Sequence, residues 1–244
     1  MLTHPVGFFG ARGYSANAVR FDGSNDYLTR GADLTSNADT KLLIISFWFN
    51  MKGSDGVDQY FYINANTTSR VEKENNDKIR VLFQDSGFVS RLHLVTTDTY
   101  VASGGWVHFL ASCNLNTPVA HLYVNDADAE AGGATESDGN MDNADSNHGI
   151  GGSVSGGNKI DADIADFYIN FGEYLDLTST ANRRKFIDGD GKPVDLGSDG
   201  SEPTGTAPKI FLSGDTATWH TNKGGGGGFT ESGALTDGAS SPSD

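Results

Sequence analysis

Along the chain, short runs in which apolar and polar residues alternate are separated by clusters of Gly, Asp, Asn and Ser. The longest run is LLIISFWFNM, whose odd positions Leu43, Ile45, Phe47, Phe49 and Met51 are all apolar while Leu42, Ile44, Ser46, Trp48 and Asn50 are mixed. A period of two sends alternate side chains to opposite faces of a strand, so this run predicts a central strand with one core face and one partly covered face. QYFYINA, KIRVLFQ, RLHLV, WVHFLASC, PVAHLYVN and IADFYINF have the same character. With AVRF and YLT near the start and KIFLS toward the end, they make about ten short strands joined by turns, the pattern of an all-β, two-sheet antiparallel sandwich. One segment differs. LTSTANRRKFI, Leu177 to Ile187, carries Ser/Thr cap candidates and is stopped by DGDGKP, so it predicts one short helix.

Composition agrees with the pattern. Of the 32 acids, 25 are Asp and seven are Glu, against 17 bases, for a net charge of −15. Asp belongs in loops and caps and Glu in helices, so the imbalance argues against a helical protein. A field of this sign repels phosphates and argues against a nucleic-acid partner, since only Arg183, Arg184 and Lys185 form a basic run. The single Cys113 excludes an internal disulfide framework, and its setting in WVHFLASC reads as a buried thiol. No stretch approaches the ~20 apolar residues of a membrane span. MLTHPVGFFGARGYS lacks the basic and apolar regions of a signal peptide, so a soluble product made in a cytosol is expected. At 244 residues, one large domain is the expectation. Asp126 to Asp163, with nine acids and one base, reads as a long exposed excursion or a partly mobile one. The run Gly224 to Gly228 would suit a linker, yet Trp219 and Phe229 on either side suggest a loop pinned to the body.

The stretch AVRFDGSNDYLTR holds two extended segments joined by a bend. Asp22 and Asp26 in that bend either accept backbone N–H bonds or help hold Ca²⁺, which takes six to eight oxygens. The six His show no zinc-ligand spacing, and no Gly-x-Ser-x-Gly elbow is present. DGDGK at Asp188 to Lys192 lacks the full EF-hand loop and reads as a turn.

Taken in order, AVRFDGSNDYLT, LLIISFWFN, GGWVHFLASCNLNTPVAHLYVND and IGGSVSGGNKIDADIADFYI resemble the concanavalin A-like lectin/glucanase superfamily, in its LamG or pentraxin-like branch. The resemblance covers roughly residues 18 to 172. It implies a jelly-roll sandwich with a concave and a convex sheet, with ligand on the concave face or its edge loops. It divides the chain into an N-terminal arm (1–17), the LamG-like sandwich (18–172) and a C-terminal extension (173–244) with a short helix, one strand and a Gly-rich tail. The extension resembles those on such domains in tailed-phage virion proteins. It also places Asp166 in the sheet system of Asp22 and Asp26, making a third candidate Ca²⁺ ligand.

If Ala165, Phe167, Ile169 and Phe171 face the core, parity turns Tyr168 outward, together with His108, His121 and Tyr123, and Tyr60 and Tyr62 could join them. Aromatic faces beside polar groups suit a sugar, whose CH faces stack while its hydroxyls need directional partners. This is the candidate glycan face, unless the extension covers it. A glycosidase of the superfamily would need a close pair of carboxylates. Glu72 and Glu74 are the nearest approach, at a hairpin end beside Lys73 and Lys78. The reading that results is a non-enzymatic structural or adhesion module of a phage virion, decorating a capsid or tail. Its partners would be other virion proteins and host surface glycans, and it could form a homo-oligomer. A soluble lectin and a glycoside hydrolase are the alternatives.

Overall fold

A computed structural model describes residues 13–244. In chain order the elements are β1 (Val19–Asp22), β2 (Tyr27–Thr29), β3 (Leu42–Met51), β4 (Gln59–Asn64), β5 (Ser69–Lys73), β6 (Ile79–Gln84), β7 (Ser90–Val95) and β8 (Val107–Asn114). They continue with β9 (Val119–Val124), β10 (Ala127–Asp128), β11 (Thr135–Glu136), β12 (His148–Ile150), β13 (Asp161–Phe171), α1 (Thr180–Arg183), β14 (Ile210–Leu212), a 3₁₀ turn (Thr216–Thr221), β15 (Thr230–Ser232) and β16 (Thr236–Asp237). Two antiparallel sheets result, and the all-β jelly-roll expectation holds. Sheet 1 has the order β10-β9-β8-β3-β13-β1-β16, with β14 also paired to β13. Sheet 2 has the order β11-β7-β6-β5-β4-β12-β2-β15. The helix lies inside the predicted segment Leu177 to Ile187.

The opening bend is a corner rather than a hairpin, because β1 belongs to sheet 1 and β2 to sheet 2. The odd residues of β3 all enter the core between the sheets, where Phe47 stacks on Phe109 and Phe167 at 5.0 and 5.2 Å. Cys113 is buried there, and burial pushes its thiol pKa well up.

Residues 173–244 are woven into both sheets. β14 and β16 extend sheet 1, β15 extends sheet 2, and Trp219 and Phe229 are buried in the main core. The glycine run is packed: the Gly225 and Gly226 N–H groups donate to the Pro208 and Lys209 carbonyls at 2.8 and 2.9 Å. A Cβ on Gly226 would meet Lys209 O at 2.4 Å, so this close approach requires glycine.

The outer face of sheet 1 carries a second core. Ile44, Leu110, Tyr168 and Phe211 pack there with Leu177, Phe186 and Leu196 of the extension. Beside it, Trp48 and Ala165 pack with Ala16, Ala18 and Ile187. The predicted N-terminal arm lies mostly outside the described residues. Of its end, Ala16 is buried and tied to the tail by its N–H, which donates to Ser243 Oγ at 2.9 Å.

Candidate functional site

The six residues of the candidate glycan face do not come together. Tyr168 and His108 point to the outer face of sheet 1, as parity requires, but both are buried, Tyr168 under Leu177, Phe186 and Leu196 of the extension and His108 against Trp48. His121 and Tyr123 lie on the same face, half-buried. His121 lies 3.5 Å from Asp176, and the Arg183 guanidinium sits 4.6 Å over the Tyr123 ring. Tyr60 is on the outer face of the other sheet. Tyr62 is corrected outright: a register shift in β4 between Tyr60 and Tyr62 turns it into the core, where it is fully buried and its hydroxyl bonds His148 Nδ1 at 3.0 Å. Ala165 is corrected for a like reason. A bulge in β13 between Ala165 and Tyr168 puts Ala165 against Trp48 on the outer face and leaves Ile164 in the core.

The three candidate Ca²⁺ ligands are also apart in role. Asp22 Oδ1 accepts the Ser24, Asn25 and Asp26 N–H groups at 2.8, 3.0 and 3.4 Å, and those bonds hold its pKa low. Asp26 accepts the Asp22 and Ala234 N–H groups at 3.1 and 3.0 Å, so both carboxylates are spent on backbone. Asp166 is buried at the bulge and accepts the Tyr14 hydroxyl at 2.9 Å. Among the described residues no group of three His, Cys, Asp or Glu side chains could hold a metal ion. Glu72 is clamped by Arg70 and Arg80 Nε at 2.9 and 2.7 Å, and Arg80 reaches Glu74 at 3.0 Å.

The cover on sheet 1 stops at one margin, and a cleft of about 530 Å³ opens there. Trp48 forms part of its floor and Trp106, half-buried, part of its wall. Its polar lining comes from Asn125, Asp190, Lys192, Ser240 and Asp244. Local sequence explains each position. Asn125 and Asp126 close the β9–β10 hairpin with φ of +48° and +66°, the left-handed pair of a tight turn that Asn and Asp tolerate. Asn125 is then locked to His108: its Oδ1 accepts the His108 N–H at 2.8 Å and its own N–H donates to His108 O at 3.0 Å. Asp126 is fixed by Arg183 and Arg184 at 2.5 and 2.7 Å, so the basic run serves as a strut between extension and hairpin. Asp188 to Lys192 forms the predicted turn, with Asp188 Oδ1 accepting the Asp190 and Lys192 N–H groups at 2.9 and 2.8 Å. Trp106 Nε1 donates to Ser240 Oγ at 3.0 Å, which docks the tail on the indole.

Beside Trp48, directly opposite it on β8, lies His108, 4.7 Å between ring centroids, with Nε2 bonded to Ser46 Oγ at 2.9 Å. Burial drives its pKa down to about 3, so the ring packed against Trp48 is neutral near pH 7. The cleft therefore offers the half-buried Trp106 indole, with the buried Trp48 behind it, an amide, a hydroxyl, an amine and carboxylates, anchored at both ends by turns. Sequence reasoning placed Trp48 on this face and named His108. It missed Trp106 and Asn125, for which the signals were the GGW and VND turns bordering β8 and β9.

No curated protein matches the chain. Solved structures similar to it include the native heptameric SAP-like pentraxin of Limulus polyphemus, 12% identical, with a TM-score of 0.58 over 93% of this chain and 97% of that one. Another is a Bacteroides ovatus ATCC 8483 protein provisionally assigned as carbohydrate binding, 10% identical, with a TM-score of 0.61. The match covers 93% of this chain and 62% of that protein. At such identities the likeness is one of fold. Residues 22–170, more than half of the chain, match a laminin-G-type family model, and the protein belongs to the concanavalin A-like lectin/glucanase superfamily.

Proposed function

We propose that the protein is a non-enzymatic carbohydrate-binding module and that its glycan lies in the cleft between Trp106 and the Asp188–Lys192 turn. The observation that carries this reading is the joining of the partly exposed Trp106 indole and fixed polar groups at the margin of an otherwise covered sheet. A sugar ring needs an apolar face to stack on and directional partners at its edge. The similar Bacteroides ovatus protein, assigned to carbohydrate binding, supports the same class of ligand. Glu72 and Glu74, the acids nearest to a glycosidase pair, are engaged by arginines, which favours binding over hydrolysis. Glycan-array binding followed by calorimetry tests the reading. Trp106→Ala is expected to weaken binding at least about tenfold while the fold is kept, with affinity unchanged by a Ca²⁺ chelator. Absence of binding to any glycan would end it.

The wider setting we propose is adhesion to host surface glycans from a phage particle, on its capsid or tail. Support comes from the resemblance of residues 173–244 to extensions on virion proteins. Mass spectrometry of purified particles would find the protein in stoichiometric amount, and its absence there would remove this setting.

A further inference from the structure

Two acids and one base line the cleft at Trp106: Asp190, Asp244 and Lys192. The base is already engaged, because Lys192 Nζ donates to the Asp244 backbone oxygen and ties the Asp188–Lys192 turn to the tail. Asp244 Oδ2 accepts the Ser241 N–H at 2.7 Å, so that acid also shapes the tail. Asp190 differs from both. Its N–H donates to Asp188 Oδ1 at 2.9 Å, which fixes its place on the turn, yet its exposed carboxylate makes no hydrogen bond or ion pair with any described residue.

Asn125, also exposed, has spent its side-chain oxygen on the His108 N–H and keeps its amide N–H groups for a ligand. Trp106 has its Nε1 bound to Ser240 Oγ, so the open part of this half-buried indole is ring rather than N–H. What a ligand meets in the cleft is therefore an aromatic ring, a free carboxylate and amide donors. A ring and a carboxylate both attract a cation, the first through its quadrupole and the second by charge. Next to Asn125, Asp126 binds Arg183 and Arg184, which neutralise one another there. The net charge of −15 adds a field of the same sign as Asp190.

These groups discriminate among sugars. An acidic glycan, uronate or sulfated, meets repulsion from Asp190 and from the field of the whole chain. A neutral sugar can stack on the ring but leaves Asp190 to water. A hexosamine with a free amine supplies a CH face, hydroxyl groups and an ammonium on one residue. Resting on the carbohydrate-binding reading, we propose that the cleft selects glycans containing an unacetylated hexosamine. Its ring stacks on Trp106, a hydroxyl accepts from the Asn125 amide, and its ammonium pairs with the Asp190 carboxylate.

Calorimetry on the full chain with trimers of glucosamine, N-acetylglucosamine and glucose tests this at about pH 6, where a sugar amine carries its proton. Trilysine controls for charge alone. Wild type is expected to prefer the glucosamine trimer over both others by about fivefold or more, the worth of one partly exposed ion pair with a cation–π contact. The preference should shrink as salt is raised, since exposed charges are screened. Asp190→Asn should bring the glucosamine and glucose trimers to nearly equal affinity, and should melt at the wild-type temperature because the carboxylate has no partner among the described residues to lose. Trp106→Ala should weaken glucosamine binding about tenfold. Equal affinity for the three trimers, a preference for either uncharged trimer, a preference that survives Asp190→Asn, or trilysine binding as tight as that of the glucosamine trimer would overturn the amine selection while leaving the cleft as a glycan site. Glucosamine binding that survives Trp106→Ala would assign it to the acidic surface at large and overturn the selection too. Failure of all three trimers would overturn it as well, and the carbohydrate reading would then stand or fall on the glycan array.

Discussion

The two sheets treat their outer faces in opposite ways. On sheet 1 the outward positions Ile44, Leu110, Tyr168 and Phe211 are sealed by Leu177, Phe186 and Leu196 into a second core. On sheet 2 the outward positions include Tyr60, Arg70, Arg80 and His93, all partly exposed, with cross-strand pairs Tyr60–Glu72 and Glu72–Arg80. Both faces contain polar residues, so polarity alone does not report exposure. The difference lies in their large apolar members: burial of Ile44, Leu110 and Phe211 requires a covering layer, whereas a row of alternating charges satisfies itself in water. The cleft proposed to take the glycan then opens where the cover ends, at Trp106, rather than in the middle of either sheet.

The largest expected effect separates the two faces directly. Phe186 is buried and meets the Tyr168 ring edge-on at 5.5 Å, so Phe186→Ala leaves a cavity and should cost about 3–5 kcal/mol. Tyr60→Ala on the half-exposed sheet should cost about 1 kcal/mol or less, the scale of one cross-strand pair. Denaturant midpoints of the two variants make the measurement. Equal losses would mean that the extension lies on sheet 1 without forming a core with it.

An intermediate effect comes from Asp166, a carboxylate buried under the extension at the β13 bulge with φ of +47°. Burial, partly offset by the Tyr14 hydroxyl and by Lys223 and reinforced by Asp195, raises its pKa from 3.8 to about 7. Between those values the folded state binds a proton that the unfolded chain has released, so stability falls as pH rises from about 4 to 7. His108 acts in the other direction, losing stability as pH falls from 6.5 toward its folded value of about 3. The difference between wild type and Asp166→Asn cancels the histidine and isolates the carboxylate. Asn tolerates a left-handed backbone, so the variant should match wild type near pH 4 and exceed it at pH 8. A stability difference that does not change with pH would show that the carboxylate is not desolvated as described.

How far these faces could be read from sequence depended on unbroken alternation. From Leu42 to Met51 every odd residue reached the core, and the mixed even residues signalled the second layer. Tyr62 and Ala165 were misplaced because a bulge reverses parity, and neither QYFYIN nor IADFYI contains a Gly or Pro to announce one. The turn at Asp22 to Asp26 was legible as a turn, but its joining of different sheets was not, since sheet membership is decided by distant partners such as Asp161 and Ser232. The cleft was hardest to foresee. Ser240 and Asp244 are brought to Trp48 and Trp106 with the help of bonds from Ser241 Oγ to Ala16 O and from Ala16 N–H to Ser243 Oγ, contacts more than 220 residues apart.

The smallest effect belongs to sheet 2, at the tip of the β6–β7 hairpin. Asp85 organises this tip by accepting the Gly87 and Val89 N–H groups at 2.9 and 3.0 Å, and Arg91 holds Asp85 at 2.6 Å. The bonds place Phe88 at φ of +62° with 62% of its surface exposed. An L-residue in this region carries a strain of about 1–2 kcal/mol, and an exposed ring recovers little of it by packing. Phe88→Gly would relieve the strain but give part of it back as unfolded-chain entropy. Phe88→Asn relieves most of it without that loss, so it should raise stability by about 0.5–1 kcal/mol with an unchanged denaturant slope. On the covered sheet the corresponding left-handed residue, Asp166, is held by burial and by Tyr14; here only the turn holds it. A loss of stability in Phe88→Asn would therefore mean that the Phe88 ring is packed after all, and that sheet 2 is less open than sheet 1 is closed.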